Sequence, residues 1–140
     1  MSESRPVVVY ERERAVEGWD DPSLGRVVWW TLLSGDRTPT EKMTVGIAEI
    51  GADAHAARPH RHAPPEVYHI LAGEGVVTVD GVAHPVSAGA TVFIPGNAWH
   101  STTNTGRDPL RLLYVFAVDS FSDVAYEFLP EAEVVEAAPK

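Results

Sequence analysis

His60 and His62 stand two residues apart, Glu66 follows four residues later, and His100 comes behind the turn-forming Pro95-Gly96-Asn97. Side chains at alternate positions of an extended strand leave the same face, so one strand running through His60 and His62 aims both imidazoles at a common point. Ala63, Pro64 and Pro65 interrupt that strand, because adjacent prolines donate nothing to a ladder and mark a turn; Glu66 then opens the returning strand, opposite the two imidazoles. The apolar run Thr91–Ile94 and the following turn, whose Gly and Asn tolerate a positive φ, make a second hairpin that delivers His100. Three imidazoles and a carboxylate, in a chain without cysteine, suit one divalent transition metal ion, Fe, Mn, Ni, Co or Zn. Such a set leaves coordination positions open, which is what Lewis-acid chemistry on a bound substrate requires.

Tyr68 lies two residues after Glu66 and shares its face. It reads either as an ordinary aromatic of a cavity wall or as a base, its phenol acidified by a nearby divalent cation. The other histidines receive no role: His69 is out of phase with Glu66, His55 with His60, and His84 precedes a proline near a turn. Spacing alone does not place Tyr126, which lies far along the chain.

The elements that must hold these residues are short and strand-like. Residues 7–10 (VVVY) read as a first strand, and ERERAVEGWDDPSLG as a brief helical turn or loop. Residues 27–33 (VVWWTLL) are apolar on both faces, so Trp29 and Trp30 point opposite ways and the strand is covered twice, by the interior on one side and by another sheet or a partner subunit on the other. Residues 43–50 form a further strand, Asp80-Gly81 is a strong hairpin signal, and residues 110–118 alternate so that Arg111 faces out while Leu112, Tyr114 and Phe116 face in. An edge strand is expected near residues 124–128. About ten short strands with almost no helix make an all-β antiparallel double sheet, a jelly-roll barrel. The division is an N-terminal arm with the first strand over residues 1–24, one barrel domain over 25–130 and an acidic tail over 131–140.

One domain of 140 residues can bury a proper core. Zero cysteines exclude a disulfide framework, and no apolar run is long enough to span a membrane, so a cytoplasmic protein without membrane contact is expected. Twenty acidic residues against eleven basic ones, a net charge of −9, repel polyanions and argue against nucleic acid. The partners expected are a small-molecule substrate and, from the two-sided apolar strands, a second copy of the chain in a homodimer.

The pattern His60, His62, Glu66, Gly73, followed by Gly89, Pro95, His100 and Asn104, resembles the two-part cupin signature. It departs where Asn97 replaces a Gly and where Gly51 lies too far upstream of His60; neither change touches the four candidate ligands. The short interval between the two motifs leaves room only for a tight hairpin. Within the cupins, the stretch from about Val27 to Leu129 is similar to the small single-domain lyases that cleave dimethylsulfoniopropionate into dimethyl sulfide and acrylate. That resemblance implies a cupin jelly roll, metal ligands at His60, His62, Glu66 and His100, and catalytic tyrosines at Tyr68 and Tyr126. It implies a metal-assisted, non-oxidative β-elimination with a tyrosine base; aromatic faces attract a sulfonium leaving group, and Tyr114, Phe116 or a tryptophan are the candidates for this. An Fe(II)-dependent dioxygenase, an isomerase or cyclase, and last a non-catalytic binding protein use the same parts.

Overall fold

Burial in Leu110–Phe116 alternates residue by residue: Leu110, Leu112, Tyr114 and Phe116 are buried while Arg111, Leu113 and Val115 are half-exposed. This is the period of a strand with one face on a core, and it sets Arg111 outward as its charge requires. The computed structural model describes residues 3–21, 25–52 and 58–130. Strands β1 (Glu17–Asp21), β2 (Gly25–Leu33), β3 (Thr44–Ile50), β4 (His60–Arg61), β5 (Glu66–Ala72), β6 (Glu74–Val79), β7 (Val82–Ser87), β8 (Thr91–Ile94), β9 (His100–Asn104), β10 (Leu110–Phe116) and β11 (Glu127–Phe128) follow in chain order. They form two antiparallel sheets, one ordered β1-β2-β3-β10-β5-β8 and the other β11-β4-β9-β6-β7. Among the described residues the only helical pieces are 3₁₀ turns at Glu11–Glu13 and Phe121–Asp123. The double sheet is the jelly roll expected from the sequence.

The inner faces of the two sheets meet in a core whose most buried members include Phe116, Ile70, Ile94, Leu110 and Val77. Each such side chain contributes about 1.5–3 kcal/mol by leaving water. Trp29 turns into this core, whereas Trp30 lies on the outer face with the Arg111 guanidinium 5.5 Å from its ring centroid. Arg111 also holds Glu49 and Glu11, each at 2.7 Å, so the N-terminal 3₁₀ turn is fastened to the outer face of β10.

Asp80 and Gly81 take positive φ angles of 47° and 83° and close the β6–β7 hairpin, the tight connection that the short interval required. Residues 7–10 are not a strand. They have no ladder partner and Val8 is 80% exposed; a strand needs a neighbour, and the first one to find it is β1, in the segment expected to be loop, which registers Glu17 against Trp29. The edge strand near residues 124–128 shrinks to β11, because the Ser120 hydroxyl accepts the Ser122 N–H and starts a 3₁₀ turn just before it. The acidic tail 131–140 and His55 lie outside the described residues. No helix among the described residues is long and apolar enough to cross a membrane.

Candidate metal centre

The four candidate ligands come from both sheets. β4 meets β9 through the single pair His60 and His100, and His62 follows immediately after β4, whose extent is shorter than the strand expected to carry both imidazoles. Glu66 opens β5 in the other sheet, registered against Ile94 and Phe116. Across the interior its Oε1 lies 3.3 Å from His62 Nε2 and 3.5 Å from His100 Nε2. One nitrogen from each of His60, His62 and His100 falls within 4.8 Å of the others. His62, Glu66 and His100 are 3%, 5% and 1% exposed, while His60 is half-buried.

The two turns that carry these residues are packed on each other. Asn97 takes a left-handed φ of 66°, the conformation that Asn tolerates in place of Gly. A Cβ on Gly96 would collide with the carbonyl oxygen of Ala63, in the turn between His62 and Glu66. Gly96 is therefore the residue that allows the second turn to seat against the first.

Hydrogen bonding fixes which ring nitrogen faces the centre. His62 Nδ1 lies 2.8 Å from the Pro64 carbonyl and His100 Nδ1 lies 2.9 Å from the Ala98 carbonyl. A carbonyl only accepts, so each ring carries its proton on Nδ1 and presents the Nε2 lone pair inward. Both Nε2 atoms and Glu66 Oε1 are buried without a hydrogen bond among the described residues. Buried lone pairs of this kind cost free energy unless something accepts them, and a divalent cation fits them: three imidazole nitrogens, a carboxylate oxygen and ring orientations set by backbone carbonyls.

Burial, followed by the charges of His100 and His62, holds the His60 imidazole well below its ordinary value. For His62 burial works in the same direction, but the Glu66 carboxylate beside it outweighs burial and raises the ring. Tyr68 is buried with its ring centroid 6.4 Å from His100, and the Tyr126 ring lies 5.1 Å from His60 and 5.2 Å from His62. Burial, reinforced by the Glu66 carboxylate, pushes both phenols well above their ordinary value; a cation among the imidazoles acts in the opposite direction.

A cavity of about 80 Å³ opens beside the cluster, with Trp29, Tyr68, Tyr114, Phe121 and Tyr126 among its walls. The Tyr114 phenol lies across Gly46, where any Cβ would overlap it, so the ring is held flat against β3. Phe116 packs edge-on against His62 with centroids 5.0 Å apart. Sequence reasoning missed Phe121 and Thr102, which also line the cavity. Thr102 carried a signal, because it shares the face of His100 on β9; Phe121 sits on a 3₁₀ turn, where no periodicity announces it. His69 faces away, its Nδ1 2.8 Å from Thr91 Oγ1, and His84 is exposed on β7.

Similarity to known proteins runs through this site. Residues 46–116 match the cupin domain model, which includes all four candidate ligands. The chain is 45% identical over 117 residues to the dimethylsulfoniopropionate lyase DddW of Ruegeria pomeroyi, covering 84% of this chain and 76% of that protein. A predicted oxalate decarboxylase of Thermotoga maritima superposes with a TM-score of 0.70 at 28% identity, over 80% of this chain and 99% of that one. The polyketide cyclase RemF of Streptomyces resistomycificus shares the fold with a TM-score of 0.73 at 19% identity, over 91% and 89% of the two chains. With its two motifs, its double sheet and a buried three-histidine group able to hold a divalent metal, the chain belongs to the cupin domain family.

Proposed function

We propose that this protein is a metal-dependent lyase that splits a small carboxylate by β-elimination, with dimethylsulfoniopropionate as the substrate to test first and residues 25–130 as the catalytic domain. The observation that supports it is the convergence of buried lone pairs, from His62 and His100 Nε2 and Glu66 Oε1, beside a small cavity whose walls include the phenols of Tyr68, Tyr114 and Tyr126. Its likeness to the lyase of Ruegeria pomeroyi covers most of both chains.

In this reading His60, His62, Glu66 and His100 hold the ion. Fe, Mn, Ni, Co or Zn bound there supplies Lewis acidity toward the substrate carboxylate, which makes the neighbouring C–H more acidic. Tyr68 or Tyr126, as tyrosinate, takes the α-proton onto its phenol oxygen. The C–H electron pair becomes the new C=C bond and the C–S pair leaves with sulfur, so dimethyl sulfide and acrylate form without redox change. The tyrosine then returns its proton to water, completing the cycle. The faces of Trp29, Tyr114 and Phe121 attract the sulfonium before it is neutralised. Apolar walls keep water from the reacting carbon. The reading carries a homodimer as well, with the outer face of β1 and β2, where Val28 is 37% exposed, against the partner.

The deciding experiment supplies Fe(II), Mn(II), Ni(II) and Zn(II) in parallel to the metal-stripped protein and follows dimethyl sulfide and oxygen together. Dimethyl sulfide release without oxygen uptake, falling on the order of 10²–10⁴-fold in Tyr68→Phe or Tyr126→Phe with the ion retained, is the expected result. Oxygen uptake would instead make the protein a dioxygenase, and no release with any ion would reject this substrate.

A further inference from the structure

Tyr126 owes its place over the imidazoles to very little backbone. β11, which follows it, pairs with β4 over only two residues, Glu127 with Arg61 and Phe128 with His60. One further bond, from the Leu129 N–H to the Pro59 carbonyl at 2.8 Å, extends this contact. Side chains must supply the rest, and Arg61 does so from a position between His60 and His62.

Its Nε donates to Glu127 Oε1 at 3.0 Å, and its guanidinium lies 4.4 Å from the centroid of the Trp99 ring. Glu127 follows Tyr126 in sequence and Trp99 precedes His100. The backbone N–H of Trp99 is itself anchored to Asp80 Oδ1 at 2.9 Å, which fixes the main chain from which the ring projects. One outward-facing cation, itself set between His60 and His62, therefore touches the chain neighbours of Tyr126 and of His100, whose rings converge on the inner side. A planar guanidinium can lie on an aromatic face and bond a carboxylate in its own plane at once, whereas an ammonium cannot do both with the same geometry.

We propose that Arg61 is the positioning residue for Tyr126: it clamps the strap formed by residues 124–129 onto β4 and onto Trp99, and so fixes the phenol over the imidazole cluster. The inference rests on the reading of Tyr126 as part of the reacting site, but the clamp itself is testable without any substrate. An exposed ion pair alone holds weakly; the stacking on Trp99 orients the guanidinium and makes the two contacts act together. Opening of the strap would leave the rings of His62 and His100 in place, because they are held by the Pro64 and Ala98 carbonyls.

The test compares the full-length, metal-loaded protein with Arg61→Ala, Arg61→Lys and Glu127→Gln. Amide hydrogen exchange is read at Leu129, with β10 amides as internal reference. Expected in Arg61→Ala is a loss of Leu129 protection of about tenfold, with β10 protection, melting temperature and metal stoichiometry unchanged. Arg61→Lys and Glu127→Gln should each fall between this variant and the parent, since each keeps one of the two contacts. On dimethylsulfoniopropionate, kcat should decline in the same order as protection. Unchanged Leu129 exchange in Arg61→Ala would overturn the proposal, as would loss of the ion or of β10 protection, which would make Arg61 a general support of the fold. If the exchange pattern appears in a protein that releases no dimethyl sulfide, the clamp stands and the lyase reading falls.

Discussion

The backbone N–H of Asn97 donates to the carbonyl of His62 at 2.8 Å. This bond fastens the turn before His100 to the residue that ends the first pair of imidazoles, and Gly96 is what allows the approach. Gly96→Ala places a methyl group against the Ala63 carbonyl, a backbone atom with no freedom to withdraw. We expect a loss of about 1–3 kcal/mol of stability, by analogy with overpacked cores, together with weaker metal retention. Urea unfolding and metal titration of the variant measure both, and an unaltered metal affinity would show that the two turns do not set the geometry of the cluster.

Binding of a divalent ion at the cluster should stabilise the fold by mass action. At a free concentration one hundred times the dissociation constant the gain is about 2.7 kcal/mol, which for a domain of this size raises the melting temperature by about 5–10 °C. Thermal melts with added metal and with a chelator compare the two states. The gain should vanish in His62→Ala, whose Nε2 points at Glu66.

Tyr114 and Gly46 should behave as one unit. Gly46→Ala forces the phenol off β3 and toward the cavity, at an expected cost of about 1–3 kcal/mol. In the double variant with Tyr114→Leu the clash is gone, so the two effects should be strongly non-additive. Denaturant unfolding of the two single variants and the pair closes the cycle; simple additivity would mean that the ring had another place to go.

Glu17 makes a contribution that depends on pH. Its carboxyl is held below the ordinary value of 4.5, first by the hydrogen bond from Arg37, opposed by burial and assisted by Thr31. A carboxyl whose folded value is depressed adds stability above its unfolded value, and that stability is lost as pH falls through the folded value. Acid unfolding of the parent should therefore be steeper below about pH 4.5 than that of Glu17→Gln. Because Arg37 is half-exposed, the difference should shrink in high salt.

Much of the fold was legible because strand periodicity and turn chemistry agree. Arg111 among alternating apolar residues told which face of β10 is inner, Asp80-Gly81 marked the β6–β7 hairpin, and the paired prolines announced the turn between His62 and Glu66. The same local signals brought His60, His62, Glu66 and His100 to one place. Where the sequence misled, the missing information was a partner. Residues 7–10 have strand composition but no neighbouring edge, while Glu17–Asp21, with poor strand composition, finds β2. Tyr126 could not be placed by spacing at all, since its position depends on β11 crossing to β4, a contact between segments more than sixty residues apart, like the Arg61–Glu127 pair. Phe121 and the flat seating of Tyr114 over Gly46 are likewise matters of tertiary contact.

The smaller sheet is thinnest where its chemistry is concentrated. β4 touches β9 through one residue pair and β11 through two, so the ladder there is carried by side chains more than by backbone bonds. An ion shared by His60, His62 and His100 would act as a crosslink between segments that the ladder barely joins. Stripping it should then do more than silence the reaction: it should unfasten one rim of the barrel, making residues 58–62 and 125–129 the first to yield to protease while β10 and its neighbours stay closed.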